Sequence, residues 1–173
     1  MRKKIQLATG WQLKLGFTLV ELLVVMSIIS VLATLAVGSY MSAQTKGRDS
    51  RRKQDIYQIT NALELYNNDY SAYPASTGDK IAGCPTTTST PCSWGEGSFT
   101  DGQTVYMKQV PADPSSRYEY RYEVSSDQQK YKIFAKIENL QDPDIFANLI
   151  QLCGAANCNF GVTSPNTALT ESF

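Results

Sequence analysis

The sequence predicts an α+β fold: a long N-terminal α-helix, transmembrane in its first half and amphipathic in its second, packed against a small antiparallel β-sheet. Three observations carry this. Residues 22–45 hold no charged side chain, and no proline precedes Pro74. Ile56, Ile59, Leu63, Tyr66 and Tyr70 recur at spacings of three and four, one face of a helix. Residues 117–124 and 130–137 then alternate apolar and charged side chains, the pattern of paired strands.

Charge and composition narrow the function classes. The 173 residues carry no net charge, but residues 1–16 hold Arg2, Lys3, Lys4 and Lys14 and no acid. A basic leader therefore precedes a mildly acidic body, as in a targeting segment. A nucleic-acid binder would carry its basic charge on the folded domain, so no nucleic-acid partner is expected. The chain lacks histidine, which excludes His-based triads and His-containing metal sites. No phosphate loop or nucleophile motif occurs. Glu119 and Glu123 alternate with Arg117 and Arg121 on one strand face, a solvated charge ladder, so the chain is not expected to be an enzyme.

The helix starts at the most informative stretch, Gly16-Phe17-Thr18-Leu19-Val20-Glu21. From Phe17 to Val37 a helix rises about 30 Å, the thickness of a bilayer core. A carboxylate at Glu21 costs roughly 2.5–3.5 kcal/mol near the centre of such a segment and less near its end. A signal peptide or plain anchor does not explain it.

Together, residues 16–25 resemble the processing and methylation site of type IV pilins and type II secretion pseudopilins. The resemblance covers the basic leader, the small residue before the cut, Phe17, the acid at the fifth mature position and the apolar run. It implies a pilin-like fold and the following course. A prepilin peptidase removes a cytoplasmic leader, residues 1–16, by cutting between Gly16 and Phe17. Phe17 is N-methylated. Residues 17–40 wait in the cytoplasmic membrane, N-terminus inside, and residues 41–173 form the exposed helix half and head outside. The subunit then polymerises into a pilus-like or pseudopilus filament, with Glu21 facing the Phe17 amine of a neighbour. The implied partners are other copies, the peptidase, the lipid bilayer, and an inner-membrane assembly platform with its ATPase. A membrane-anchored or secreted binding module that does not polymerise is the alternative. Many type IV pilins place proline at the twenty-second mature position; this chain has Gly38 there.

Beyond the membrane, residues 46–55 hold five basic and two acidic side chains. They suit a solvated face, anionic headgroups or intersubunit salt bridges. The Ile56, Ile59, Leu63 and Tyr66 stripe is the expected head-packing face. Asn67-Asn68-Asp69 and Pro74 are expected to end the helix. Residues 75–103 read as a long loop. Of three connectivities open to four cysteines, Cys84–Cys92 and Cys153–Cys158 are expected because short loops close most readily. A Cys-only zinc site fits these gaps poorly.

A short strand is expected around 104–108, then a hairpin of 117–124 with 130–137. Pairing Tyr122 with Ile133 aligns both apolar faces and sets Glu123 against Lys132 and Glu119 against Lys136. Asp142-Pro143-Asp144 is expected to cap a short helix to about residue 150. No cofactor is expected. Some pseudopilins bind calcium near the C-terminus, and this acidic pair is the one place for it, against its ordinary use in capping. The tail from Thr163 is polar and expected to fray.

Overall fold

The structure, a computed structural model, describes residues 16–84 and 90–173. The expected leader lies outside the described residues except for Gly16, as do Thr86 to Ser89 of the loop. The elements are α1 (Leu19–Tyr70), β1 (Ser76–Thr77), β2 (Lys80–Ile81), β3 (Phe99–Thr100), β4 (Val105–Met107), β5 (Arg121–Val124), β6 (Tyr131–Ala135), β7 (Leu152–Cys153), β8 (Ala156–Asn157) and β9 (Phe160–Thr163). The chain divides into two compact units between Met41 and Ser42. Together they make an α+β, pilin-like arrangement.

In the first unit every side chain from Gly16 to Met41 is exposed. By length and composition this part of α1 is able to cross a membrane. A helix that is apolar all round needs lipid or other helices around it. Its small polar residues do not oppose this. Ser27, Ser30 and Thr34 donate their hydroxyls to the carbonyls of Val24, Met26 and Val31 at 2.7 Å. These three hydroxyl protons are satisfied within the helix itself.

In the second unit Ile56, Ile59 and Leu63 are buried against Tyr120, Tyr122, Tyr131 and Ile133. Tyr66 is half-buried, with Tyr70, Phe99 and Tyr106 rings 4.6–5.4 Å away. The helix runs past Asn67-Asn68-Asp69 to Tyr70. Its terminator is Ser71, at φ 55°, whose N–H donates to the Asn67 carbonyl at 2.7 Å.

The main sheet has the order β5-β6-β9, all antiparallel. β5 and β6 pair in the expected register, Tyr122 with Ile133 and Glu123 with Lys132. Four expectations need correction. First, the strand expected at 117–124 is paired only from Arg121. The β7–β8 hairpin occupies the edge before it: Ala155 N–H donates to the Arg117 carbonyl at 3.2 Å. A Cβ on Gly154, at φ +72°, would lie 2.7 Å from that same carbonyl oxygen. Glu119 and Lys136 therefore fall outside the ladder, and Glu123 bonds Arg121 at 2.9 Å instead of Lys132.

Second, the apolar/charged alternation of residues 130–137 does not give one buried and one exposed face. All five β6 residues are buried, because β6 is the central strand and both its faces are covered. Third, the tail does not fray. β9 continues the sheet, Ser164 is buried, and Glu171 bonds Lys130 at 2.7 Å. Fourth, residues 142–150 form turns and no helix. Asp142 and Asp144 each accept a hydrogen bond from Lys53 Nζ at 2.7 Å, and Asp142 also accepts the Asp144 N–H at 3.0 Å, in a turn that no helix follows. Cys84–Cys92 and Cys153–Cys158 are each disulfide-bonded.

Candidate assembly site

The motif residues meet at the start of α1. Thr18 is the N-cap: its carbonyl accepts the first helical bond, from Leu22 N–H at 3.2 Å. Thr18 N–H and Thr18 Oγ1 both donate to Glu21 Oε2 at 2.8 Å, and Glu21 N–H donates to Thr18 Oγ1 at 3.2 Å. This is a reciprocal capping box, T-x-x-E, and it satisfies backbone donors that a helix start leaves open. The pattern is legible in the sequence as Thr18-Leu19-Val20-Glu21. Reading Glu21 only as a carboxylate in an apolar run misses it. Both Thr18 donors, the backbone N–H and the hydroxyl, fall on Oε2. Gly16 and Phe17 precede the cap, and Phe17 is 89 % exposed.

The basic segment that follows is not a solvated face. Arg52 is fully buried, and its guanidinium holds three carboxylates: Asp49 at 2.7 Å, Asp113 at 2.7 and 2.8 Å, and Glu138 at 2.7 Å. Arg48 holds Glu138 a second time, at 2.6 Å. Asp49 also accepts the backbone N–H groups of Glu138 and Asn139 at 2.9 and 2.8 Å. Arg48 and Arg52 pull the Glu138 carboxyl down to about 2, against the upward push of burial. Burial lowers the Arg52 pKa, but its bonds to Asp113, Glu138 and Asp49 outweigh it and the net shift is upward. Beside this cluster Tyr120 donates to Asp55 at 2.8 Å, and burial raises the pKa of both.

The segment thus points its charges into its own head. Lys46 and Arg51 are the exceptions: both are exposed, and Arg51 has Asp55 at 4.0 Å. Asp49 and Arg52 at i, i+3 were the sequence signal; the partners Asp113 and Glu138, more than sixty residues on, gave none. The predicted head-packing residues enter the main core, with Cys84 and Cys92 beside them; Cys153 and Cys158 join Phe134 and Leu149 in a second cluster.

An apolar stem with a capped, motif-bearing start and an α+β head defines the class, a pilin-type subunit. Residues 12–37 match the prokaryotic N-terminal methylation motif, and residues 39–141 match type II secretion system (T2SS), protein G. The chain belongs to the type II secretion system protein G family. It is 35 % identical over 108 residues to the type II secretion system core protein G of Pseudomonas aeruginosa, covering 61 % of this chain and 71 % of that one. The Vibrio cholerae protein of the same name is 30 % identical over 120 residues, 69 % and 77 % of the two chains. That of Aeromonas hydrophila is 34 % identical over 101 residues, 57 % of this chain and 66 % of the relative, just under two thirds of its length. No solved structure matches the chain.

Proposed function

We propose that this chain is a pseudopilin, the structural and non-catalytic subunit of a type II secretion filament. It enters the cytoplasmic membrane as a precursor with its N-terminus inside and its head outside. A prepilin peptidase cleaves it between Gly16 and Phe17, Phe17 is N-methylated, and an inner-membrane platform with its ATPase polymerises it through α1. The observation that carries this reading is where the methylation motif falls: it matches residues 12–37, a stretch that takes in the start of α1, whose side chains are exposed from Leu19 to Met41.

Physical chemistry gives Glu21 its role. Cleavage creates a cation at Phe17, and the carboxylate lies four residues on. Each charge is costly at the edge of a low-dielectric bundle, and pairing between copies relieves both. Thr18 uses Oε2, so Oε1 is available to the amine of a neighbouring copy. The pair sets the register of assembly more than it adds net stability. The two disulfides suit a head in an oxidising compartment.

Intact mass and N-terminal sequencing of membrane-extracted protein, made in cells that hold a prepilin peptidase, test the reading. A mature chain beginning at methylated Phe17 is expected. A chain that begins near residue 40, or that retains its leader, overturns it.

A further inference from the structure

Residues 142–173 lie beyond the matched family region, yet they supply β9 and most of the second core cluster. The last ten residues, Ser164 to Phe173, form a strap across the Lys130, Lys132 and Phe134 face of β6. Leu169 packs with Phe134 over Gly161. The Glu171 carboxylate takes Lys130 Nζ at 2.7 Å and the Thr167 hydroxyl, and its carbonyl accepts from Lys132 Nζ. The Phe173 ring lies 3.9 Å from that same ammonium. Every second strap residue thus meets the sheet: an aliphatic on an aromatic, an acid between two lysines, a ring on a cation.

The strap is a ligand in a groove, and the groove is closed at a cost. Lys132 is 1 % exposed, its ammonium set against a neutral carbonyl and a ring. Burial lowers its pKa accordingly. Opening the strap rehydrates this ammonium, which offsets part of what Leu169 and the Lys130–Glu171 pair lose. The β6–β9 ladder does not depend on the strap, since Phe160 to Thr163 pair backbone to backbone.

We propose that the strap is exchangeable, so that in the filament the groove of one copy takes Leu169, Glu171 and Phe173 of an adjacent copy. This rests on the filament reading above. Every copy carries both the groove and its complement, with basic Lys130 and Lys132 facing acidic Glu171. The contacts are the same within a copy and between copies, so local concentration decides which forms. Nine residues beyond Ser164 reach at most about 30 Å, enough for a touching neighbour and no further.

A bridging experiment tests this on the full chain. Thr163 and Thr170 line one cleft beside β9. The native cysteines are all disulfide-bonded among the described residues, so Thr163→Cys and Thr170→Cys together supply the reactive thiols. A short bismaleimide is applied to membrane-extracted subunits and to isolated filaments. The subunits are expected to bridge within one chain, and the filaments to give a covalent ladder on denaturing gels. Adding Glu171→Lys, which sets three ammonium groups together, should cut the ladder about tenfold, with circular dichroism verifying an intact head. Filaments that form but yield only internally bridged monomer overturn the exchange alone. A ladder undiminished by Glu171→Lys overturns the groove as the seat. A processed chain that never polymerises overturns the filament reading and the exchange with it.

Discussion

Arg52→Ala is the sharpest test of how the head is held. The substitution leaves three carboxylates, Asp49, Asp113 and Glu138, facing the space of one buried guanidinium. Asp49 keeps two backbone donors, and Glu138 keeps Arg48. Asp113 keeps Ser115 N–H at 2.8 Å but loses its two-point contact. Removing one partner of a buried ion pair costs about 3–5 kcal/mol, because the other is left uncompensated. At roughly 3–5 °C per kcal/mol for a head of this size, melting should fall by about 10–20 °C. The assay is thermal unfolding of the full chain in detergent, followed by circular dichroism.

The pH dependence carries the mechanism. Glu138 is depressed to about 2 from an ordinary 4.5. A depressed carboxylate contributes stability that is complete above 4.5 and is lost as pH falls toward 2. In Arg52→Ala Glu138 loses one of the two cations that hold it down and takes up a proton more readily. The gap between variant and wild type should therefore narrow from pH 7 to pH 3.5. A loss under about 1 kcal/mol, as for exposed pairs, or an equal gap at both pH values, refutes this account.

Glu21→Ala should insert and be cleaved normally but form no filaments; electron microscopy showing normal filaments sinks the role given to that carboxylate. In Gly161→Ala the new Cβ would sit 2.8 Å from the Ile133 carbonyl oxygen and 2.7 Å from Leu169. Overpacking of this kind costs about 1–3 kcal/mol, and hydrogen exchange should show β9 and the strap losing protection while α1 keeps it. Burial and the nearby Glu64 push Tyr73 up to about 12, and burial raises Tyr122 well above its ordinary value. The folded state favours the protonated phenols, so this contribution is complete below pH 10 and is lost as pH rises. In difference spectra against Tyr73→Phe and Tyr122→Phe, the tyrosinate absorbance of these two residues should appear together with unfolding, and its appearance near pH 10 in a folded head contradicts the reasoning.

What the sequence revealed and what it hid divide along physical lines. The apolar run, the Ile56/Ile59/Leu63 stripe and the Tyr122–Ile133 register are local or pairwise patterns, and each has a period to read. Thr18-x-x-Glu21 was equally local but masked by the more conspicuous apolar segment. The ion cluster was not legible, because Arg52 meets Asp113 and Glu138 only once the chain has folded. The tail was misread for a related reason. Phe160-Gly161-Val162-Thr163 is too short to show alternation, and its strand character comes from the free edge of β6. The lysines at 130 and 132 then look solvated until the strap that covers them is seen.

The capping box at Thr18 and Glu21 has a consequence for how the chain is handled before assembly. The first helical bond starts at Thr18, and the cap closes through Thr18 itself. Nothing upstream contributes a hydrogen bond to that first turn among the described residues. Loss of the residues before Phe17 would place a cation at the helix start and N-methylation would keep that charge, and neither removes a hydrogen bond of the first turn among the described residues. Processing of the kind proposed above therefore leaves the hydrogen bonds of the first turn of α1 as they are.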